Sequence, residues 1–267
     1  MNSKNRLGKI YLAIVLVLLY APILFLVLFA FNKGGDMTRF TGFTWANFVT
    51  LFGDTRLIQI VVQTFFLAFL SSLLATLIGT FGALFIDNLK RTRQKESILN
   101  LNNILMVSPD VVIGASFLIL FTAIGIKLGF LSVLLAHVAF SIPIVVLMIL
   151  PLFSQMDKSL VSAAYDLGAT ERQALTQVVF PYLTPGIIAG FFMAFTYSLD
   201  DFAVTFFVTG NDFTTLSVEI YSRAREGISL EINALSAIVF LFSILLVIGY
   251  YFLMKDNQTS GKAPNLT

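Results

Sequence analysis

The chain contains no cysteine, which excludes disulfides, thiolate metal sites and cysteine nucleophiles. Charge is scarce too. Asp, Glu, Lys and Arg make up 12% of its 267 residues, about half the share of an ordinary soluble domain. The net charge is only +2, and the 17 Lys and Arg form no cluster of the kind that grips nucleic acid. Catalytic signatures are also missing. There is no Gly-x4-Gly-Lys-Ser/Thr phosphate loop, so nucleotide hydrolysis has no machinery here. Neither a Ser, His and acid arrangement nor a His-Glu-x2-His pattern supports a membrane hydrolase. No internal repeat or low-complexity tract breaks up the chain.

What is present is apolar. Hydrophobic residues reach 57% and the mean hydropathy is +0.88, gathered into long continuous blocks. A hydrocarbon core about 30 Å thick needs roughly 20 helical residues. Six blocks meet that length: residues 10–31, 58–86, 98–124, 130–153, 185–209 and 232–254. Continuous rather than alternating hydrophobicity excludes a barrel, and a lipid-exposed backbone leaves only helices. The expectation is an all-α integral membrane protein with six transmembrane helices over residues 1–255 and a disordered polar tail over 256–267. The first block resembles a secretory signal in its basic flank, Lys4, Arg6 and Lys9. It is too long for one and has no small-x-small cleavage site before Asn32, so it is read as a retained helix.

Lys and Arg placement sets the orientation. With both termini in the cytoplasm, eleven basic residues fall inside and six outside, as the positive-inside rule requires. Segment 88–97, with Lys90, Arg91, Arg93 and Lys95, decides it. Residues 32–57 and 210–231 then lie outside and 154–184 inside. The first outer connection carries Phe43, Trp45, Phe48, Leu51 and Phe52, an aromatic stretch suited to anchoring at the membrane interface or to gating substrate.

Acids within spans cost about 2.5–3.5 kcal/mol each on insertion scales, so each needs a reason. There are three: Asp110, after Ser108-Pro109, and the adjacent pair Asp200 and Asp201. At 1.5 Å per residue Asp110 lies about 18 Å above Ile98, and Asp200 about 22 Å above Pro185. Carboxylates at similar depth with almost no buried base form an attractive site for a cation. The bland alternatives are that they cap kinked backbone, pair across helices or sit protonated. Adjacent helical residues diverge by about 100°, so one of Asp200 and Asp201 is expected to face a pathway and the other to be structural. His137 is the sole ionisable base within a span, read as a neutral histidine bonded to a neighbouring helix. Phe117, Tyr197, Phe202, Phe206 and Tyr221 are candidate walls, and Glu219 and Glu231 lie in the outer connection as attractors of a cation. Glu231 equally suits the positive end of the last helix, with Ser229 as its N-cap.

The inner loop has its own pattern. In Ser162-Ala163-Ala164-Tyr-Asp166-Leu-Gly168-Ala169-Thr170, Gly168 supplies a helix C-terminus and Thr170 the N-cap of the next helix, which Pro181 stops before the fifth span. Ala163 and Ala164 let another protein approach the backbone closely. This loop resembles the Glu-Ala-Ala (EAA) loop of binding-protein-dependent ABC importer permeases: Ala163, Ala164, Gly168, Val178, Phe180 and Pro181 are in register, with Ser162 where the family usually has Glu. The stretches Met106-Val-Ser-Pro-Asp110, Ser198-Leu-Asp-Asp201, Phe207-Val-Thr-Gly210 and Ile220-Tyr-Ser222, with Gly227, Ser229, Glu231 and Asn233, are similar to PotC-like permeases of spermidine/putrescine importers.

The resemblance implies a type I ABC importer permease architecture in a bacterial cell membrane and a polyamine substrate. It places the acidic pair in the translocation path, which favours Asp200 as the one facing it, and makes segment 159–181, with Ser162, Ala163, Ala164, Asp166, Gly168, Ala169 and Pro181, the ATPase-coupling element. It also implies three partners: a second permease of the PotB type, a PotA-like ATPase pair and an extracytoplasmic PotD-like binding protein. ATP and Mg would be held by the ATPase, with no cofactor in this chain. The rival readings are an ABC permease for another solute, such as a phosphonate or a metal ion, and a stand-alone secondary transporter or channel. An anion carrier should place basic residues in its spans, and this chain places none.

Overall fold

A computed structural model describes residues 3–35, 37–226, 230–241, 244–245 and 248. The described chain is almost wholly helical. Two helices come first, α1 (Ser3–Ala30) and the short α2 (Ala46–Gly53), then α3 (Thr55–Asp87), α4 (Thr92–Val107), α5 (Asp110–Ala123) and α6 (Phe130–Gln155). They are followed by α7 (Lys158–Asp166), α8 (Glu171–Ala174), a π turn over Leu175–Val179, α9 (Phe180–Asp200), α10 (Ala203–Val208) and α11 (Leu216–Glu226). An apolar helix α12 covers Leu230–Leu241. Among the described residues, Gly8–Ala30, Thr55–Asp87, Phe130–Gln155 and Glu171–Asp200 are each long and apolar enough to cross a bilayer. Residues 242–243, 246–247 and 249–254 of the expected last span, the tail at 256–267, Gly227 and the proposed cap Ser229 lie outside the described residues.

Two of the expected spans are not single helices. The block 98–124 breaks at Ser108-Pro109, where α4 and α5 meet at 104°. Proline has no N–H to donate and disfavours helix in the residue before it, and Ser108 is accordingly extended, with ψ at 139°. The depth reckoned along one straight helix from Ile98 therefore does not apply to Asp110. The block 185–209 breaks at Asp201-Phe202, between α9 and α10. In the opposite sense, Pro181 does not stop a helix. The chain stays helical from Glu171 to Asp200, because the π turn just before Pro181 widens the coil, with the Phe180 N–H reaching back to the Leu175 carbonyl, and so makes room for a ring that would otherwise press on the carbonyl four residues back.

The chain divides into two compact units, Gln59–Glu219 and the combination of Met1–Ile58 with Ile220–Thr267. In the first unit α6 is central. Its Val145 and Ile149 are fully buried among Ala75 and Ala83 of α3 and Leu183 and Ala194 of α9. Lipid tails are as apolar as leucine, so such helices are held by close packing, and small residues permit it. A methyl at Gly79 would lie 2.7 Å from the Val145 side chain, and one at Gly190 would lie 3.2 Å from it. Ala75, Gly79 and Ala83 on α3, and Gly186, Gly190 and Ala194 on α9, recur every four residues and form two seams against α6. The second unit is pinned by side chains. Asn47 of α2 donates from Nδ2 to the carbonyls of Ala30 (2.9 Å) and Asn32 (3.0 Å). Arg223 of α11 donates to Asp54 (2.9 Å) and approaches Glu231 of α12 at 3.7 Å. The Arg223 hydrogen bond holds the Asp54 carboxyl below the usual carboxylate range.

The α3 seam makes a direct prediction. Gly79→Val should lower stability by about 1–3 kcal/mol through overpacking, whereas Gly82→Ala should be near neutral, since a methyl there meets only an ordinary 3.7 Å contact. Thermal unfolding midpoints of the purified variants in detergent check this; equal midpoints would show that the seam is not tightly packed.

Candidate functional site

Both helix breaks fall beside the intramembrane acids, and the fold brings the breaks together. Gly114 of α5 packs directly on α10, where a methyl would sit 2.8 Å from the Phe207 ring and 3.0 Å from the Val204 Cα. A cavity of about 390 Å³ opens beside this contact, lined among others by Asp110, Tyr197, Asp200, Asp201 and Phe202. No Lys or Arg is among its lining residues.

The three acids differ in what they do. Asp110 occupies the first turn of α5, where the positive helix end favours a carboxylate. It is exposed to the cavity and accepts a hydrogen bond from the Tyr197 hydroxyl at 2.9 Å. Asp200 is exposed and makes no polar contact among the described residues. Asp201 is buried and committed to local structure. Its carboxylate accepts from the backbone N–H groups of Val204 (3.3 Å) and Thr205 (2.8 Å) and from the Thr205 hydroxyl (2.7 Å), which caps the start of α10. Its freed backbone carbonyl accepts from the Ser217 hydroxyl at 2.6 Å.

His137 fastens the two sides of that break. Nδ1 lies 2.7 Å from the hydroxyl of Ser198 in α9, and Nε2 lies 2.8 Å from that of Thr205 in α10. Because the Thr205 hydroxyl donates to Asp201, it accepts from His137, which puts the proton on Nε2. In a neutral imidazole Nδ1 accepts from Ser198, whose oxygen lies 2.9 Å from that of Ser71 in α3. A neutral imidazole thus satisfies both partners. Sequence reasoning singled out His137 and Asp201 but missed Ser71, Ser198 and Thr205.

The other expected positions are dispersed. Among the aromatics, Tyr197 and Phe202 line the cavity; Phe206 packs on Phe202 at 5.4 Å and Phe117 on Phe121 at 5.5 Å. Glu219 is buried in the first turn of α11 and does not line the cavity, so it is not a surface attractor; the positive helix end suits it there. In the other unit, Glu231 approaches Arg223, and Tyr221 lies under the Arg225 guanidinium at 5.9 Å.

The loop between α7 and α8 forms as its residues dictate. Asp157 caps α7 by accepting from the Ser159 N–H at 2.9 Å, and this bond holds its carboxyl below the usual range. Gly168, at φ +84°, closes α7: its N–H bonds the Tyr165 carbonyl (2.9 Å) and the Ala169 N–H that of Ala164 (3.0 Å). Thr170 and Gln173 then form a reciprocal capping box for α8. Ser162, Ala163 and Asp166 are exposed on this hairpin, and Leu167 at its tip is 90% exposed.

Residues 75–255, which include the cavity and this hairpin, match the family described as binding-protein-dependent transport system inner membrane component. The chain belongs to that family. This permease is a multi-pass membrane protein, and it is 36% identical to the spermidine/putrescine transport system permease protein PotC of Haemophilus influenzae over 96% of its own length and 99% of the relative's. It is 33% identical to the putrescine transport system permease protein PotI of Escherichia coli K12, covering 83% of this chain and 81% of the relative. Among solved structures, a bacterial ABC transporter involved in alginate import superposes with a TM-score of 0.64 at 15% identity, covering 96% of the permease and 98% of that chain. The MetNI methionine ABC transporter gives 0.59 at 18% identity over 73% and 92%. The permease therefore has the fold of type I ABC importer permeases, on which unlike cargoes are carried.

The clasp around His137 yields a prediction. His137→Leu fills similar space but leaves the buried Ser198 and Thr205 hydroxyls short of a partner, at about 1–3 kcal/mol for each orphaned group. The His137→Gln variant, which retains a donor and an acceptor, should be the less destabilised of the two. Comparing their thermal midpoints with wild type checks the assignment; Leu and Gln variants of equal stability would contradict it.

Proposed function

We propose that this ABC importer permease carries polyamines, spermidine or putrescine, and forms half of a translocation path completed by a homologous PotB-like permease. The observation that carries the reading is the convergence of Asp110 and Asp200 on one cavity whose lining has no Lys or Arg. A polyamine presents ammonium groups separated by short methylene runs. Separated carboxylates meet the charges, and the Tyr197 and Phe202 rings meet the methylenes and add cation–π attraction. The polyamine names borne by its relatives support the same cargo. Tyr197, bonded to Asp110, holds that carboxylate in position until an ammonium group competes for it. Binding at such a site is weak enough for release, and tight capture belongs to a separate PotD-like binding protein outside the membrane.

Energy comes from a PotA-like ATPase pair that binds ATP and Mg; this chain contributes no catalytic residue. With both termini in the cytoplasm, the hairpin of α7 and α8 faces that motor. Its exposed Ala163 and Leu167 offer a small-residue surface and an apolar tip, while the continuous helix from Glu171 to Asp200 links the hairpin to the acids at the cavity. A push at one end is delivered to the other through this one continuous helix.

Spermidine uptake in cells carrying the whole transporter tests the cargo and the site. Asp110→Asn and Asp200→Asn, at equal membrane levels, should each lower uptake about 10- to 100-fold, as loss of a charge-assisted contact implies. Wild-type rates in both variants would remove the acids from the path, and no polyamine uptake by the wild type would reject the cargo. Because the chain has no cysteine, Ala164→Cys supplies a unique thiol. It should crosslink to the ATPase within the assembled complex, and an active transporter lacking any ATPase would contradict the coupling.

A further inference from the structure

The segment joining α1 to α3 is a built structure, and none of its residues lines the cavity. Asn32 is fully buried; its Oδ1 accepts from the Thr41 N–H at 2.8 Å and its Nδ2 donates to the Arg39 carbonyl at 2.9 Å. Backbone bonds from Lys33 to Gly42 and from Thr44 to Phe31, each 2.8 Å, close the loop. On this base sits a packed aromatic group: Phe31 stacks on Phe43 at 5.1 Å, and Trp45 meets Phe31 at 4.9 Å and Phe48 at 5.4 Å.

Helix α2 presents two unlike faces. Phe48 and Leu51 turn inward, and Leu51 is buried. Trp45, Val49 and Phe52, at i, i+4 and i+7, form an outward stripe with 59%, 71% and 65% exposure, and Phe43 beside it is 62% exposed. The depth of this stripe is fixed by covalent and hydrogen-bonded geometry. Asp54 alone separates α2 from α3, and Asn47 bonds the carbonyls at the end of α1. Both α1 and α3 are long enough to span the bilayer, so a helix fastened to the end of one and the start of the other lies at the boundary of the hydrocarbon.

We propose that α2 is a lipid-interface anchor, with Trp45, Val49, Phe52 and Phe43 set into the headgroup region on the side where α1 ends. Rigid amphipathic rings favour that depth, and a preformed platform inserts without a further ordering cost. The anchor fixes where α3 enters the membrane.

Trp45 is the only tryptophan in the chain, so its fluorescence reports this site in the unaltered protein. The full chain is reconstituted in phosphatidylcholine bilayers carrying bromine near the headgroup or near the acyl-chain ends. Shallow bromines should quench Trp45 at least about twofold more than deep ones, and aqueous acrylamide should quench it at least about twofold less than it quenches tryptophan amide. Full acrylamide quenching without bromolipid quenching, or quenching by deep bromines alone, would overturn the proposal. In the assembled transporter the signal is read as the difference between wild type and Trp45→Phe. Bromolipid quenching should persist there when the binding protein is added. Its loss would assign the stripe to a protein partner instead.

Discussion

A helix that breaks inside a bilayer exposes backbone groups that lipid cannot satisfy, and the permease depends on how its second break is closed. At Asp201-Phe202 the chain stops being helical without a proline or glycine to force it. The break persists because side chains take over the backbone's bonds. Asp201 caps the N–H groups that open α10, Ser217 satisfies the Asp201 carbonyl, and His137 joins the residues on either side. Asp201, His137, Ser198 and Thr205 are buried and Ser217 is half-buried, so these groups would be costly to leave unmet.

Closing the break in this way separates two neighbouring acids into different roles. Asp201 is spent on structure; Asp200, one residue earlier and still on α9, is left facing the cavity. The other break, at Ser108-Pro109, does the same for Asp110 by setting it at the positive end of α5. Gly114 then lets α5 approach α10 closely enough for the two breaks to share one cavity. The negative character of the cavity therefore follows from backbone geometry as much as from composition.

Much of this could be read from the residues. Long uncharged blocks gave the helical membrane class, Pro109 marked the first break, and Gly168 and Thr170 marked the turn between α7 and α8 because their chemistry is local. Three features were not legible for physical reasons. The break at Asp201 depends on partners 16 to 64 residues away, Ser217 and His137 among them, which no local window contains. Pro181 reads as a stop, yet a π turn just ahead of it absorbs the ring. Glu219 reads as a surface charge in a loop, whereas it begins a helix and is buried. The small-residue seams at 75, 79 and 83 and at 186, 190 and 194 acquire meaning only against α6, which no single segment of sequence displays.

The central claim is that carboxylates at two helix breaks give one cavity its preference for positive charge. Thr196 lines that cavity one turn before Asp200, and in a cysteine-free chain Thr196→Cys is a unique reporter that leaves every acid in place. The rate of its modification by a cationic thiosulfonate, compared with an anionic one of similar size, in the assembled transporter measures the field directly. The cationic reagent should react faster, spermidine should slow it, and adding Asp110→Asn with Asp200→Asn should erase the difference. Equal rates for the two reagents, untouched by spermidine or by the loss of both acids, would contradict the account.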